Sequence, residues 1–328
     1  MSKISQKNLF FRFKKYIADN DLIRAGDKVV VACSGGPDSI ALLYLLNKAA
    51  KNLNLEIFVA HFNHRLRGRE SDKDELFVSN VADKLGIDFI AGSANKTIRS
   101  EEEARVERYK FLENVMVGKD AKLLAIAHNL EDQAETMMLN IIRGTGIRGL
   151  YSLRSKRGHI IRPLLFAKKI ELLSFLEEES IPFRTDKSNL DLVYTRNIIR
   201  HKILPEIEKI NPSYTESFAR LAAISSEADR FIVSYSKEIL EKIAHNENGV
   251  IKISKKEINS LSPILAKEII RLLAESAGIT KDLTENQVAQ VAEMIRKNIG
   301  GKQKIIQGRL KIELKADKIV ISNLKGVL

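Results

Sequence analysis

The sequence predicts an α/β fold: a doubly wound parallel sheet in the first part of the chain, followed by a mostly helical C-terminal domain with a small terminal sheet. Three observations predict it. Short continuous apolar runs alternate with helix-length stretches up to about residue 143, as in a parallel sheet covered on both faces. A glycine-rich turn, Ser34-Gly35-Gly36-Pro37-Asp38-Ser39, joins the first such run to a helix. Beyond Pro212 the runs give way to helices, and the chain ends in strand-like segments.

Residues 27–33, with Val29-Val30-Val31-Ala32 at their centre, have a charged entry and a glycine exit and read as a fully buried strand. Ile40-Ala41-Leu42-Leu43 and Leu45-Leu46 then mark a largely buried helix. Further strands are expected at 55–61, 88–91 and 122–128, with helices at about 71–85, 101–117 and 131–143. Ser100 followed by Glu103 resembles a capping box for the second of these helices. Ligands bind such sheets beyond the carboxyl ends of the strands, so functional residues are expected just after Cys33, His61 and His128. Later helices are expected at roughly 216–244, 255–277 and 285–297, and terminal strands near 304–306, 309–314 and 318–322, with Gly300-Gly301 as a hinge. Two domains follow from this change of pattern, 1–212 and 213–328.

Composition agrees with two cored domains. The 328 residues are 44% hydrophobic and 29% charged, with only 6 Pro and 17 Gly, which excludes disordered and collagen-like classes. A formal net charge of +12 makes a polyanion the natural partner, nucleic acid or an anionic membrane by charge alone. No apolar run is long enough to span a bilayer, and Arg12 and Lys14 interrupt Phe10, Phe11 and Phe13, so neither a membrane span nor a signal peptide is read. Cys33 is the only cysteine, which excludes an intramolecular disulfide and a paired-cysteine zinc site and fits a reducing cytoplasm. The last 28 residues carry seven Lys and Arg against two acidic residues, a basic end for the second domain.

The hexad 34–39 carries the chemistry. Adjacent glycines fold the backbone tightly and bring amides toward an anion, and the helix that follows adds its unpaired first-turn amides and its dipole. Pro37 suits the first helical position, Ser34 and Ser39 supply hydroxyls, and Asp38 supplies a carboxylate suited to magnesium. No Gly-Lys-Ser/Thr ending is present, nor three spaced glycines, so neither a kinase- or GTPase-type loop nor a dinucleotide fingerprint applies. A neutral loop with one carboxylate fits a pyrophosphate leaving group held through magnesium, hence nucleotidyl transfer; the alternative is a plain strand-to-helix turn.

The same hexad resembles the loop of the N-type ATP pyrophosphatases, of the adenine nucleotide alpha hydrolase-like fold, which cleave ATP between its first two phosphates to adenylate a substrate. Further segments narrow the resemblance: His61-Phe62-Asn63-His64, Arg105 with Arg108-Tyr109, Ala127-His128 with Asp132 and Glu135-Thr136, Arg143-Gly144-Thr145-Gly146, Arg162-Pro163-Leu164, Asp186 with Ser188-Asn189, and Arg196-Asn197 with Arg200-His201. In this order, over nearly all of residues 27–205, they are similar to the tRNA(Ile)-lysidine synthetase family, in its short form without a second C-terminal domain. The resemblance implies a cytoplasmic ligase that uses ATP, Mg2+ and L-lysine to convert the wobble cytidine of tRNA(Ile) with a CAU anticodon to lysidine, and it favours a homodimer. ATP would adenylate the cytosine carbonyl oxygen, and the lysine side-chain amine would then displace AMP. Another tRNA-modifying or small-molecule adenylating ligase of the same fold, or a non-catalytic nucleotide-sensing or RNA-binding module, are the alternatives.

On this reading Ser34, Gly35, Gly36, Pro37, Asp38, Ser39 and His61 bind the nucleotide, with Asp38 on the metal and His61 and His64 near the adenine. His128 closes its strand and is expected, with Asp38, Arg105, Asp132 and Glu135, to be catalytic. Asp132 and Glu135, three apart on the next helix, share a face toward the strand ends, where they would hold an ammonium or a metal; the resemblance assigns them to lysine. Glu131 reads as a solvated helix start. Arg105 is expected to stabilise charge on the departing pyrophosphate, while Arg108 could pair with residues 101–103. Tyr109 and Cys33 read as core packing. The glycine turn at 143–150, with Arg148, reads either as a segment beside the pocket or as a helix stop. Arg154, Lys156, Arg157, Arg162, Lys168, Lys169, Arg184, Lys187, Arg196, Arg200 and Lys202 form a basic stretch suited to a tRNA backbone, although Asn189, Arg196, Asn197 and Arg200 also suit a loop lock.

Overall fold

The computed structural model describes residues 4–65, 68–94, 100–184, 195–279, 283–297 and 301–324. Asp186, Lys187, Ser188, Asn189 and Gly300 lie outside the described residues. The chain divides into two compact units, Met1–Ala223 and Ile224–Leu328.

The first unit runs α1 (Ile4–Asp19), β1 (Lys28–Ala32), α2 (Pro37–Leu53), β2 (Glu56–Asn63), α3 (Arg69–Leu85), β3 (Asp88–Ser93), α4 (Glu101–Gly118), β4 (Leu123–Ala125), α5 (Leu130–Ile142), α6 (Ile147–Leu150), β5 (Lys156–Arg157), β6 (Ile160–Ile161), α7 (Lys169–Glu178), α8 (Thr195–Ile198), a π-helical stretch (Ile199–Ile203) and α9 (Leu204–Ile210), and it includes the start of α10 (Tyr214–Ile243). Its sheet has the order β3-β2-β1-β4-β6-β5. All neighbours are parallel except the edge pair β5–β6, and Val30 stands opposite both Phe58 and Leu124.

Alternation along β1 sets the layers. Val29 and Val31 pack with Phe13, Ile40, Leu43 and Leu172 on one face, and Val30 packs with Leu112, Val115 and Met116 of α4 on the other. Gly92 in β3 lets α4 lie close: a Cβ there would sit 2.4 Å from the Phe111 ring. Because β2 and β3 lie to one side of β1 and β4 to the other, the crevice at the ends of β1 and β4 is the switch point of the sheet.

Several features differ from the sequence expectation. Helix α1 belongs to the core through Leu9, Phe13 and Ile17, one face at four-residue spacing, while Phe11 is exposed. The strand expected at 122–128 stops at Ala125, where the His128 amide donates to the Ile126 carbonyl (3.0 Å) in a tight turn that lifts His128 off the strand end. The helix expected at 255–277 is two helices, because Pro263 lacks an amide hydrogen and disfavours helical backbone at Ser262.

The second unit takes the rest of α10 and continues through β7 (His245–Glu247), β8 (Val250–Ser254), α11 (Lys255–Ser260), α12 (Pro263–Ser276), α13 (Glu285–Arg296), β9 (Gln303–Ile306), β10 (Leu310–Lys315) and β11 (Lys318–Asn323). Its antiparallel sheet, ordered β7-β8-β11-β10-β9, packs Ile253, Ile312, Leu314, Ile319 and Ile321 against α12 and α13. The β7–β8 hairpin, not expected from the sequence, turns on Asn248-Gly249, both at positive φ, the pair such turns favour.

Candidate active site

The loop after β1 is built to present amides. Gly35 sits at φ +87°, and a Cβ there would meet Val78 Cγ2 at 3.2 Å. Its carbonyl accepts from the Arg184 amide (2.9 Å). Gly36 is the extended N-cap of α2 and Pro37 opens the helix, as the sequence expects. The Ser39 hydroxyl accepts from the Ser34 amide (3.2 Å), lies 3.3 Å from Ser34 Oγ and donates to the Gly36 carbonyl (2.9 Å). Ser39 therefore locks the loop, with its proton already engaged, while Ser34 is exposed at the rim. The amides of Asp38 and Ser39, in the first turn, have no intrahelical carbonyl to bond. Cys33 is buried behind the loop and burial pushes its thiol up. Its carbonyl accepts from Nδ1 of His61 (2.9 Å), leaving Nε2 of that neutral ring as the acceptor; burial holds His61 below its ordinary value.

Across the switch point stands a carboxylate cluster. Asn129 and Asp132 form a capping box at the start of α5: Asn129 Oδ1 accepts from the Asp132 amide and Asp132 Oδ2 from the Asn129 amide, each at 3.0 Å. The Asn129 side chain lies beside Asp38 and favours its charged form, and Asp38 Oδ1 is buried without a partner. Burial, then the nearby Asp132 charge, pushes Asp38 up to about 6, opposed by Lys169 and Arg200. Glu135 is 1% exposed. Arg200 donates to both its oxygens and, through Nη2, to Asp132 Oδ1 (3.0 Å). Arg196 donates to Glu135 Oε2 (3.2 Å) and to Thr136 Oγ1 (2.9 Å). The two arginines are four residues apart, on α8 and the π-helical stretch, so both meet α5.

Cations and neutral rings line the remaining side. Arg105 is exposed, its guanidinium 5.0 Å from the Tyr109 ring centre, and Arg108 lies 5.6 Å from the same ring. Arg108 Nε is buried without a partner, burial lowers its pKa, and it makes no ion pair among the described residues. His64 Nδ1 is likewise buried and unpartnered, pushed down to about 4 by burial and then by Arg108. His128 accepts at Nδ1 from Arg162 Nε (2.9 Å), and burial pushes it down to about 4.

The structure thus brings Asp38, Asp132 and Glu135 into one cluster and places His128 beside it. It sets Arg105 on the outer side of Tyr109 and turns Arg108 inward. Asn129 is the residue the sequence reading passed over; Asn followed three positions later by Asp at a helix start was its signal. Glu131, expected at a solvated end, instead accepts the Lys169 amide (3.0 and 3.1 Å) and caps α7. Gly144, at positive φ, ends α5, and α6 begins three residues after it. Much of the basic stretch is used inside the fold: Arg184 on Asp74 and Glu70, Lys156 on the Asp21 carbonyl, Lys168 on Glu216, and Arg196 and Arg200 on α5. Arg157 and Lys202 are exposed.

A parallel sheet with an amide-lined loop at its switch point and a carboxylate beside it defines a PP-loop protein, and residues 5–207 match the PP-loop domain family. The U34-tRNA thiolase NcsA of Methanococcus maripaludis, solved with its 4Fe–4S cluster, shares the fold: its TM-score is 0.56 at 22% identity, over 67% of this chain and 80% of that one. The tRNA(Ile)-lysidine synthase of Clostridioides difficile strain 630 is 31% identical over 326 residues, 96% of this chain and 71% of its own, and the chain belongs to that family. The synthase of Clostridium perfringens strain 13 is 34% identical over 302 residues, 89% of this chain. This chain spans 64% of that relative's length.

Proposed function

We propose that this chain is an ATP-dependent ligase that converts the wobble cytidine of a CAU-anticodon tRNA(Ile) to lysidine in the cytoplasm, with release of pyrophosphate and AMP. The observation that carries the reading is the placement of Asp38. It stands in the first turn of α2, at the amide-lined loop, beside Asn129 and near enough to Asp132 of α5 to feel its charge. A phosphate cradle and a cation-attracting cluster therefore share one crevice.

Gly35, Gly36 and the first-turn amides of α2 would hold the phosphates, with Ser34 at the rim and Ser39 keeping the loop in shape. The buried, unpartnered Oδ1 of Asp38 is a hard oxygen donor and fits Mg2+, which when bound would neutralise charge on the departing pyrophosphate. Asp38 is the residue that would hold it. His61, buried at the end of β2, would present an unprotonated Nε2 toward the adenine. Arg105, and Arg108 deeper in, would face charge developing on the phosphates. Asp132 and Glu135 would receive the lysine ammonium, which must share these carboxylates with Arg196 and Arg200. Adenylation turns the cytosine oxygen into a good leaving group, and a deprotonated amine then displaces AMP.

Sulfur insertion, the chemistry named for the thiolase, is poorly supported, since Cys33 is buried and its thiol pushed up. The basic residues of both units are read as the tRNA-backbone surface, with residues 213–328 as the tRNA-binding domain, and a homodimer is the assembly this reading expects. Incubation with labelled lysine, ATP, Mg2+ and unfractionated tRNA, followed by nucleoside analysis, tests it. Labelled lysidine in tRNA is the expected result. AMP formed without tRNA would point to a small-molecule ligase, and ATP binding without AMP to a non-catalytic module.

A further inference from the structure

Arg162, which follows β6, belongs to the basic stretch expected to face a tRNA backbone, but its burial takes it out of that surface. It is 4% exposed, and among the described residues no carboxylate pairs with it. Its guanidinium instead donates Nε–H to Nδ1 of His128 (2.9 Å) and Nη1–H to the Arg154 carbonyl (2.8 Å). A guanidinium has five donors and no acceptor, so the direction of the first bond is fixed and Nδ1 of His128 must offer a lone pair. A neutral imidazole carries one proton, which then resides on Nε2.

The surroundings keep the ring neutral. The charged groups facing it are Asp132 on α5, Arg162 after β6, Arg196 on α8 and Arg108 on α4, three cations against one anion. A proton on Nδ1 would set two donors against each other. Nε2 has no hydrogen-bond partner among the described residues, and the next residue, Asn129, lies beside Asp38 of the loop after β1.

We propose that Arg162 is a positioning residue that holds His128 as the Nε2–H tautomer, so that His128 offers a neutral hydrogen-bond donor to a phosphoryl oxygen of the bound nucleotide and does not act as a base. The identity of the acceptor rests on the proposed function; the tautomer does not.

The test reads the two parts separately. In the full-length protein labelled with 15N-histidine, a two-bond proton–nitrogen correlation at pH 7, assigned by the signal that disappears in His128→Gln, should show Nε2 protonated. Arg162→Met should mix the tautomers and Arg162→Lys, which keeps a donor, should restore the single form. For catalysis, Arg162→Met should lower kcat for AMP formation about tenfold, the scale of one missing hydrogen bond, with KM for ATP within about twofold. His128→Gln, whose amide can place a donor near the Nε2 position, should keep a rate well above that of His128→Ala. A proton on Nδ1 in the wild type, a tautomer indifferent to Arg162→Met, or equal inactivity of His128→Gln and His128→Ala would each overturn the proposal. The tautomer is measured without substrate. A wild type with Nε2 protonated that makes no lysidine therefore supports the positioning role and overturns the functional reading alone.

Discussion

Arg200 grips Glu135 with two parallel donors, Nε to Oε1 and Nη2 to Oε2, the second at 2.9 Å. This fork pairs a carboxylate that is 1% exposed, and Arg196 adds a third donor. Removing one partner of a buried pair leaves the other uncompensated. Glu135→Ala should therefore destabilise the protein by about 3 kcal/mol, read as a lower urea midpoint at unchanged slope. Glu135→Gln, which keeps an acceptor, should lose less.

Asp132 serves two purposes, so its removal should separate into two effects. Asp132→Ala removes half of the Asn129 capping box, which should cost about 1 kcal/mol of stability. On the proposed function it should raise the lysine concentration needed for turnover while leaving tRNA-dependent ATP consumption largely intact. Equal lysine affinity in the two proteins would rule out its role toward the amine.

For Asp38 the pH dependence has a definite sign. Its folded pKa, about 6, lies above the unfolded 3.8, so the folded state holds the extra proton between those values and stability falls as pH rises through that window. Asp38→Asn should accordingly be more stable than wild type by about 2 kcal/mol at pH 7, with the difference gone below pH 4, in thermal melts without magnesium. Adding Mg2+ should raise the melting temperature of the wild type only. AMP formation should be abolished in the variant.

Gly35→Ala should distort the loop, since positive φ is strained for a residue with a Cβ and Val78 already stands 3.2 Å away. A stability loss of about 1–2 kcal/mol and a clear weakening of ATP-analogue affinity, by calorimetry, are expected. Unchanged affinity would show that the nucleotide binds elsewhere.

Exposed cations should act differently from engaged ones. Charge reversal at Arg157 or Lys202 should weaken tRNA binding uniformly across sequences and flatten its salt dependence by about one unit of log–log slope for each phosphate no longer neutralised. Reversal at Arg184, which is bonded to Asp74 and Glu70, should instead lower stability.

Strands β1 to β4 were legible because burial on both faces leaves continuous runs such as Val29-Val30-Val31-Ala32, whereas the two-residue strands β5 and β6 were too short to show one, and the loop was legible because its glycines and proline have few other uses. Helix α1 was less so: its buried residues Leu9, Phe13 and Ile17 are set among cations that the fold uses, Arg12 on Glu171 for one. Sequence spacing put Asp132 and Glu135 on one face, but it could not show that Arg196 and Arg200, more than sixty residues on, would fill that face with opposite charge. The inward turn of Arg108 past Tyr109 was hidden for the same reason, since spacing gives the side of a helix and not its depth.

Depth is what Gly92 controls. Phe111 rests where a side chain on that residue would be, and Arg108 is three positions earlier on the same helix. A single methyl at Gly92 would push the ring outward and carry the guanidinium with it, away from the crevice. A position with no functional group of its own thus determines how far a distant cation can reach.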